Sequence, residues 1–164
     1  VLYLGRVTLQ KGPDYFLSAA KRVLEKEPDA QFIIAGSGDK EQAVINQASR
    51  MGISDKVLFT GFLREQDTMK AYQMASLYVM PSVSEPFGLT PLEAASNKTP
   101  AIISKQSGVS EIFNNCLKVD FWDVDQLASK ILAVLNYTEL QDLLLWLKAS
   151  SQECMMFVGL EMKN

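Results

Sequence analysis

Leu77-Tyr78-Val79-Met80-Pro81-Ser82-Val83-Ser84-Glu85-Pro86-Phe87-Gly88-Leu89-Thr90-Pro91-Leu92-Glu93-Ala94 reads as a strand, a turn and the start of a helix, and that order decides the fold. The apolar run 77–80 stops at Pro81 and Ser82, as a buried strand does where the chain leaves a sheet. Pro86 and Gly88 mark the turn. Pro91 suits the first helical position, with Thr90 as N-cap. A helix start exposes unpaired backbone N–H groups and the positive end of a dipole, so it attracts phosphate. Glu85 and Glu93 flank that start, and ionised carboxylates accept hydrogen bonds from sugar hydroxyls. Glu93 also has a plainer reading. Thr90-Pro91-Leu92-Glu93 fits a capping box, in which the carboxylate returns to the backbone N–H of Thr90.

Outward from this stretch the same unit recurs. Strand-like runs at 1–4, 32–35, 57–59, 77–80 and 101–103 are each followed by turn residues and a helical pattern. Such alternation predicts an α/β domain, a Rossmann-like parallel sheet with helices on both faces. Residues 13–27 form the clearest helix, with Phe16, Leu17, Ala20, Val23 and Leu24 on one face and charged side chains on the other. Further helices are expected at 39–51, with Gly52 as stop signal, at 66–75, and around Leu127, Ile131, Leu132 and Leu135. The segment 140–163 is helix-prone without clean periodicity.

The chain has 164 residues, 48% of them apolar, enough for one domain with a sizeable core. A formal charge of −3 gives no footprint for nucleic acid, so a phosphate ligand needs a local basic site. Cys116 and Cys154 have neither metal-ligand nor disulfide-scaffold spacing, and the chain has no His, so no metal is expected. There is no basic-then-apolar leader, and the apolar run 143–147 is far shorter than a membrane span. A soluble, cytoplasmic protein is expected, and peripheral contact with a membrane-borne acceptor is compatible with it. The chain opens at Val1 inside a strand pattern, without an initiator Met, and therefore reads as a fragment.

Glu85 to Glu93 resembles the paired-glutamate motif of the retaining nucleotide-sugar glycosyltransferases of family four (group 1), whose members have the two-domain GT-B fold. Other elements follow in that family's order over residues 1–135. Gly5-Arg6 with Lys11-Gly12 resembles the diphosphate-binding loop, and Ala35-Gly36-Ser37-Gly38 the second glycine loop. Residues 57–62 resemble the base-facing strand, and Ser107-Gly108-Val109-Ser110-Glu111 a further loop near the donor. The resemblance implies that residues 1–164 are a single donor-binding domain, the C-terminal half of a GT-B enzyme whose N-terminal acceptor domain is missing here. It implies donor contacts from Gly5, Arg6, Lys11, Gly36, Ser37, Phe62, Leu63, Phe87, Gly88, Leu89 and Thr90. Glu93 would take the ribose, and Glu85 the hydroxyls of the transferred sugar, as the catalytic carboxylate. The substrate would be a nucleoside-diphosphate sugar, the acceptor a glycan, lipid or other hydroxyl, and no cofactor or metal is called for. Alone, the domain is expected to transfer nothing.

Competing motifs fail on their own spacing. Gly36-Ser37-Gly38 has no third glycine, so a dinucleotide fingerprint is incomplete, and Gly12 precedes Pro13 where a Walker loop needs Lys. Asp123-Val124-Asp125 opens a helix, where Asp123 reads as N-cap and Asp125 as a first-turn acid. Tyr72, Trp122 and Trp146 read as packing residues. Two other functions share this pattern: a non-catalytic nucleotide-binding or interaction module, and a nucleotide-sugar epimerase of related fold.

Overall fold

The computed structural model describes residues 1–136. Six parallel strands form one sheet: β1 (Leu2–Leu4), β2 (Phe32–Ala35), β3 (Val57–Gly61), β4 (Tyr78–Met80), β5 (Ala101–Ser104) and β6 (Leu117–Val119). Their order across the sheet is β3-β2-β1-β4-β5-β6. The helices are α1 (Pro13–Leu24), α2 (Glu41–Arg50), α3 (Glu65–Met74), α4 (Thr90–Ser96) and α5 (Val124–Asn136). β6 was not among the expected strands; Leu117-Lys118-Val119 is three residues long with a charge at its centre, too short to show alternation.

Strand side chains alternate between two cores. Tyr3, Phe32, Ile34, Val79 and Ile102 pack against α1, α2 and α5 through Phe16, Leu17, Val44, Leu127 and Ile131. On the opposite face Leu2, Ala35, Tyr78, Met80 and Ile103 pack with Tyr72 of α3 and Ala94 of α4. Burial on both faces is why the strands read as apolar runs.

Several local expectations shift. The helix expected over 13–27 ends at Leu24. α2 begins two residues later than its acidic start suggested, because Lys40 N–H donates to the carbonyl of Val7 and Glu41 N–H to that of Gly38, turning the chain first. Thr90 is not an N-cap: α4 starts with Thr90 itself after Leu89, has Pro91 in its first turn and no side-chain cap. Asp123 caps as expected, accepting from Gln126 N–H at 2.9 Å, and Asp125 pairs with Arg22 of α1. Trp146, Cys154 and the helix-prone segment 140–163 lie outside the described residues. Among those described, no helix is long and apolar enough to cross a membrane.

Candidate functional site

The strand order changes direction between β1 and β4, and in such sheets ligands bind beyond the C-terminal strand ends at that point. Two cavities open there, of about 460 and 200 Å³, and both are lined by Leu4, Gly5 and Arg6. The larger runs toward β2 and β3 and adds Gly36, Ser37, Phe62, Leu63 and Thr68. The smaller runs toward β4 and adds Lys11, Tyr78, Met80, Ser82 and Thr90. The two cavities thus meet at the loop after β1, and the smaller one carries the lysine and the hydroxyls of Tyr78, Ser82 and Thr90.

Backbone pairing holds these loops together. Gly5 N–H donates to the carbonyl of Ala35 (3.0 Å), Val7 N–H to Ser37 (3.1 Å), and Gly36 N–H to Gly61 (2.8 Å). Tyr3 hydroxyl donates to the carbonyl of Arg6 at 2.9 Å. Gly12, at φ 67°, ends the 3-10 turn Leu9–Lys11 and starts α1, and a Cβ there would overlap the carbonyl oxygen of Pro81. Val83 N–H donates to the carbonyl of Gln10 (2.9 Å), so the loop after β4 is fastened to the turn that carries Lys11.

The result is an ion pair between Lys11 Nζ and Glu85 Oε2, with side chains only 21% and 11% exposed. Glu85 is fixed from its other side as well. Gly108 N–H donates to its carbonyl at 2.9 Å, and Val109 N–H to that of Phe87 at 2.7 Å. The segment 107–111 therefore supports the glutamate turn from beneath.

Thr90 and Glu93 do not form the capping box. Thr90 Oγ1 accepts from the Tyr78 hydroxyl at 2.7 Å, and Glu93 Oε2 accepts from the Tyr72 hydroxyl at 3.1 Å. Burial pushes both phenols above their ordinary range, and in Tyr72 the nearby Tyr78 and Glu93 add to the shift. Tyr72 is thus more than a packing residue.

Of the residues singled out from sequence, Gly5, Arg6, Gly36, Ser37, Phe62 and Leu63 line the larger cavity, while Lys11 and Thr90 line the smaller. Glu85 lines neither cavity and is joined to the smaller one only by its ion pair with Lys11. Gly88, at φ 92°, packs beside the Glu85 side chain. Glu93 lines neither cavity, and nor do Phe87 and Leu89, whose side chains are exposed. Sequence reading passed over Ser82, which lines the smaller cavity and is fully buried, its hydroxyl without a hydrogen-bond partner. It also passed over Thr68, since both residues sit in ordinary strand-end and helix contexts. Among the described residues no three His, Cys, Asp or Glu side chains converge as a metal site would require.

Known proteins match this chain in sequence and in fold. An uncharacterized glycosyltransferase of Methanocaldococcus jannaschii is 38% identical over 115 residues, covering 70% of this chain and 29% of that protein. The curated relatives matched here are spanned over only about 26–36% of their length. The C-terminal domain of a group 1 family glycosyl transferase from Francisella tularensis superposes with a TM-score of 0.82 at 22% identity, over 99% of this chain and 86% of that one. Anabaena HepE, solved in complex with UDP and glucose, superposes with a TM-score of 0.80 at 19% identity, over 96% of this chain and 47% of that one. The family model for group 1 glycosyl transferases matches residues 1–144, and the chain belongs to that family.

Proposed function

We propose that this domain binds a nucleoside-diphosphate sugar, and that the protein containing it transfers the sugar, with retention, to a hydroxyl of a glycan, lipid or other acceptor. One observation carries the reading: Lys11 and Glu85, 74 residues apart in the chain, meet at the switch point of the sheet. A cation suited to phosphate and a carboxylate suited to sugar hydroxyls stand together there. The nucleoside would occupy the larger cavity between Phe62, Leu63 and the Gly36 loop. Its diphosphate would cross Gly5-Arg6 toward Lys11. The buried Ser82 hydroxyl offers a further donor to phosphate, and Glu93 would take the ribose.

In transfer, the bond between the anomeric carbon and the phosphate oxygen breaks while one to the acceptor oxygen forms. Arg6 and Lys11 would stabilise the charge growing on the departing diphosphate, which pre-placed cations do without reorganising. Glu85 would hold the sugar hydroxyls. The complex of Anabaena HepE with UDP and glucose supports a donor of this class. We place the acceptor in an N-terminal domain of the same chain and assign the charge stabilisation to the protein's own cations, with no metal ion.

The test uses the full-length protein. Glu85→Ala is expected to abolish sugar transfer while nucleotide binding persists, and full retention of transfer would overturn the assignment. A melting screen with UDP, GDP and ADP should find one that stabilises the protein, by roughly 2.7 kcal/mol at a hundred times its dissociation constant. Chelation with EDTA is expected to leave turnover unchanged.

A further inference from the structure

The seven-residue helix α4 is too short to hold itself in water and has no side-chain cap, so its neighbours position it. β4 and β5 pack beneath it, and α3 ties it down through side-chain hydrogen bonds. Tyr72, 1% exposed, donates its hydroxyl to Glu93 Oε2 at 3.1 Å, and its ring stands edge-on to Tyr78 at 5.7 Å. One residue on, Gln73 Nε2 donates to Asn97 Oδ1 at 3.2 Å. The Thr99 hydroxyl donates to the carbonyl of Tyr72 at 2.6 Å, fixing the end of α3 to the chain that enters β5. One turn before Tyr72 on the same helix face, Thr68 lines the larger cavity.

A glutamate carboxylate at the end of a free side chain rotates broadly about its last torsion. The Tyr72 hydroxyl limits that freedom by holding Oε2. We propose that Tyr72 is the positioning residue for Glu93, and that this pair makes the site select ribonucleotides over nucleotides lacking ribose hydroxyls. The inference rests on the reading of Glu93 as the ribose contact. It adds a residue from a different element, buried and out of reach of the donor, that acts through the one that touches it.

The probes are whichever of UDP, GDP and ADP the full-length protein binds most tightly, and its 2′,3′-dideoxy counterpart, measured by titration calorimetry. Wild type is expected to prefer the ribonucleotide. In Tyr72→Phe that preference should narrow by about three- to tenfold, as for one ordinary hydrogen bond, while affinity for the dideoxy compound stays as in wild type. The unchanged dideoxy affinity also certifies that the variant is folded. In a Glu93→Ala background, Tyr72→Phe should have no further effect on ribonucleotide affinity. A wild type that prefers the ribonucleotide, with a Tyr72→Phe variant that prefers it equally, overturns the role of Tyr72 alone. Equal weakening of both ligands by Tyr72→Phe, or an undiminished effect in the Glu93→Ala background, does the same. A wild type that binds both nucleotides equally, or neither, overturns the ribose role of Glu93 and this inference with it.

Discussion

Lys11 and Glu85 neutralise each other in a site that is largely withdrawn from water. Removing one partner of such a pair leaves the other charge poorly solvated, whereas removing both leaves no charge to solvate. Lys11→Met is therefore expected to lower stability by roughly 1–2 kcal/mol, less than for a fully buried pair because the lysine is 21% exposed. The double variant Lys11→Met/Glu85→Gln should recover most of that loss. Urea denaturation of the four proteins in this cycle measures it, and a double variant less stable than either single one would count against the pair. Nucleotide affinity should fall in Lys11→Met by about 1.5–3 kcal/mol and not recover in the double variant, since the phosphate contact is still missing. Both residues stood out in the sequence through their motifs. Their pairing did not, because no local spacing connects positions 74 apart. At Thr90 and Glu93 local spacing misled: the capping-box pattern is present, but phenols from α3 and β4 compete for the same oxygens and win.

At the scale of elements, the strand-end loops form the site by packing backbone against backbone, and two glycines separate the effects involved. Gly12 and Gly52 have nearly the same left-handed backbone, φ 67° and 69°. A Cβ on Gly52 would meet nothing within 4 Å, whereas one on Gly12 would overlap the Pro81 carbonyl at the end of β4, where the Lys11 turn packs against it. Gly52→Ala is expected to cost about 1 kcal/mol, the conformational penalty alone. Gly12→Ala should cost at least about 2 kcal/mol more, because one of the two loops must move. Thermal melts of the two variants read the difference directly, and equal losses would show that the approach of the loops carries no energy. The sequence announced the strands β1 to β5 and most helices, since apolar runs and 3.6-residue periodicity are local properties. It did not announce β6, which is too short to carry a pattern, nor the role of residues 107–111. That segment supports Glu85 through backbone hydrogen bonds to Glu85 and Phe87, whose trace in the sequence is a single glycine, Gly108, where a Cβ would overlap the Pro86 carbonyl.

Across the whole molecule, the alternation of strands and helices made the α/β class legible, but not the strand order or the two-lobed cavity. Those depend on which face each crossover helix covers, and the sequence of α1 or α3 says only that one side is apolar. Buried phenols on both faces bear on stability. Three phenols, Tyr3, Tyr72 and Tyr78, are buried close to the site, and burial raises all three above the ordinary value of 10.0. In the folded protein they remain protonated when the same phenols in the unfolded chain have ionised. Unfolding then releases protons, so the stabilisation is fully present below pH 10 and is lost as pH rises beyond it. Each phenol should contribute a slope of about 1.4 kcal/mol per pH unit above that point. Urea midpoints at pH 9, 10 and 11 should accordingly fall steeply over the last interval. Tyr72→Phe and Tyr78→Phe should each start from a lower stability at pH 9, having lost a hydrogen bond to Glu93 or Thr90, and then lose less of it on the way to pH 11. Curves that stay parallel to wild type would mean that these phenols are solvated at high pH and that the helix carrying Glu93 is not held by them.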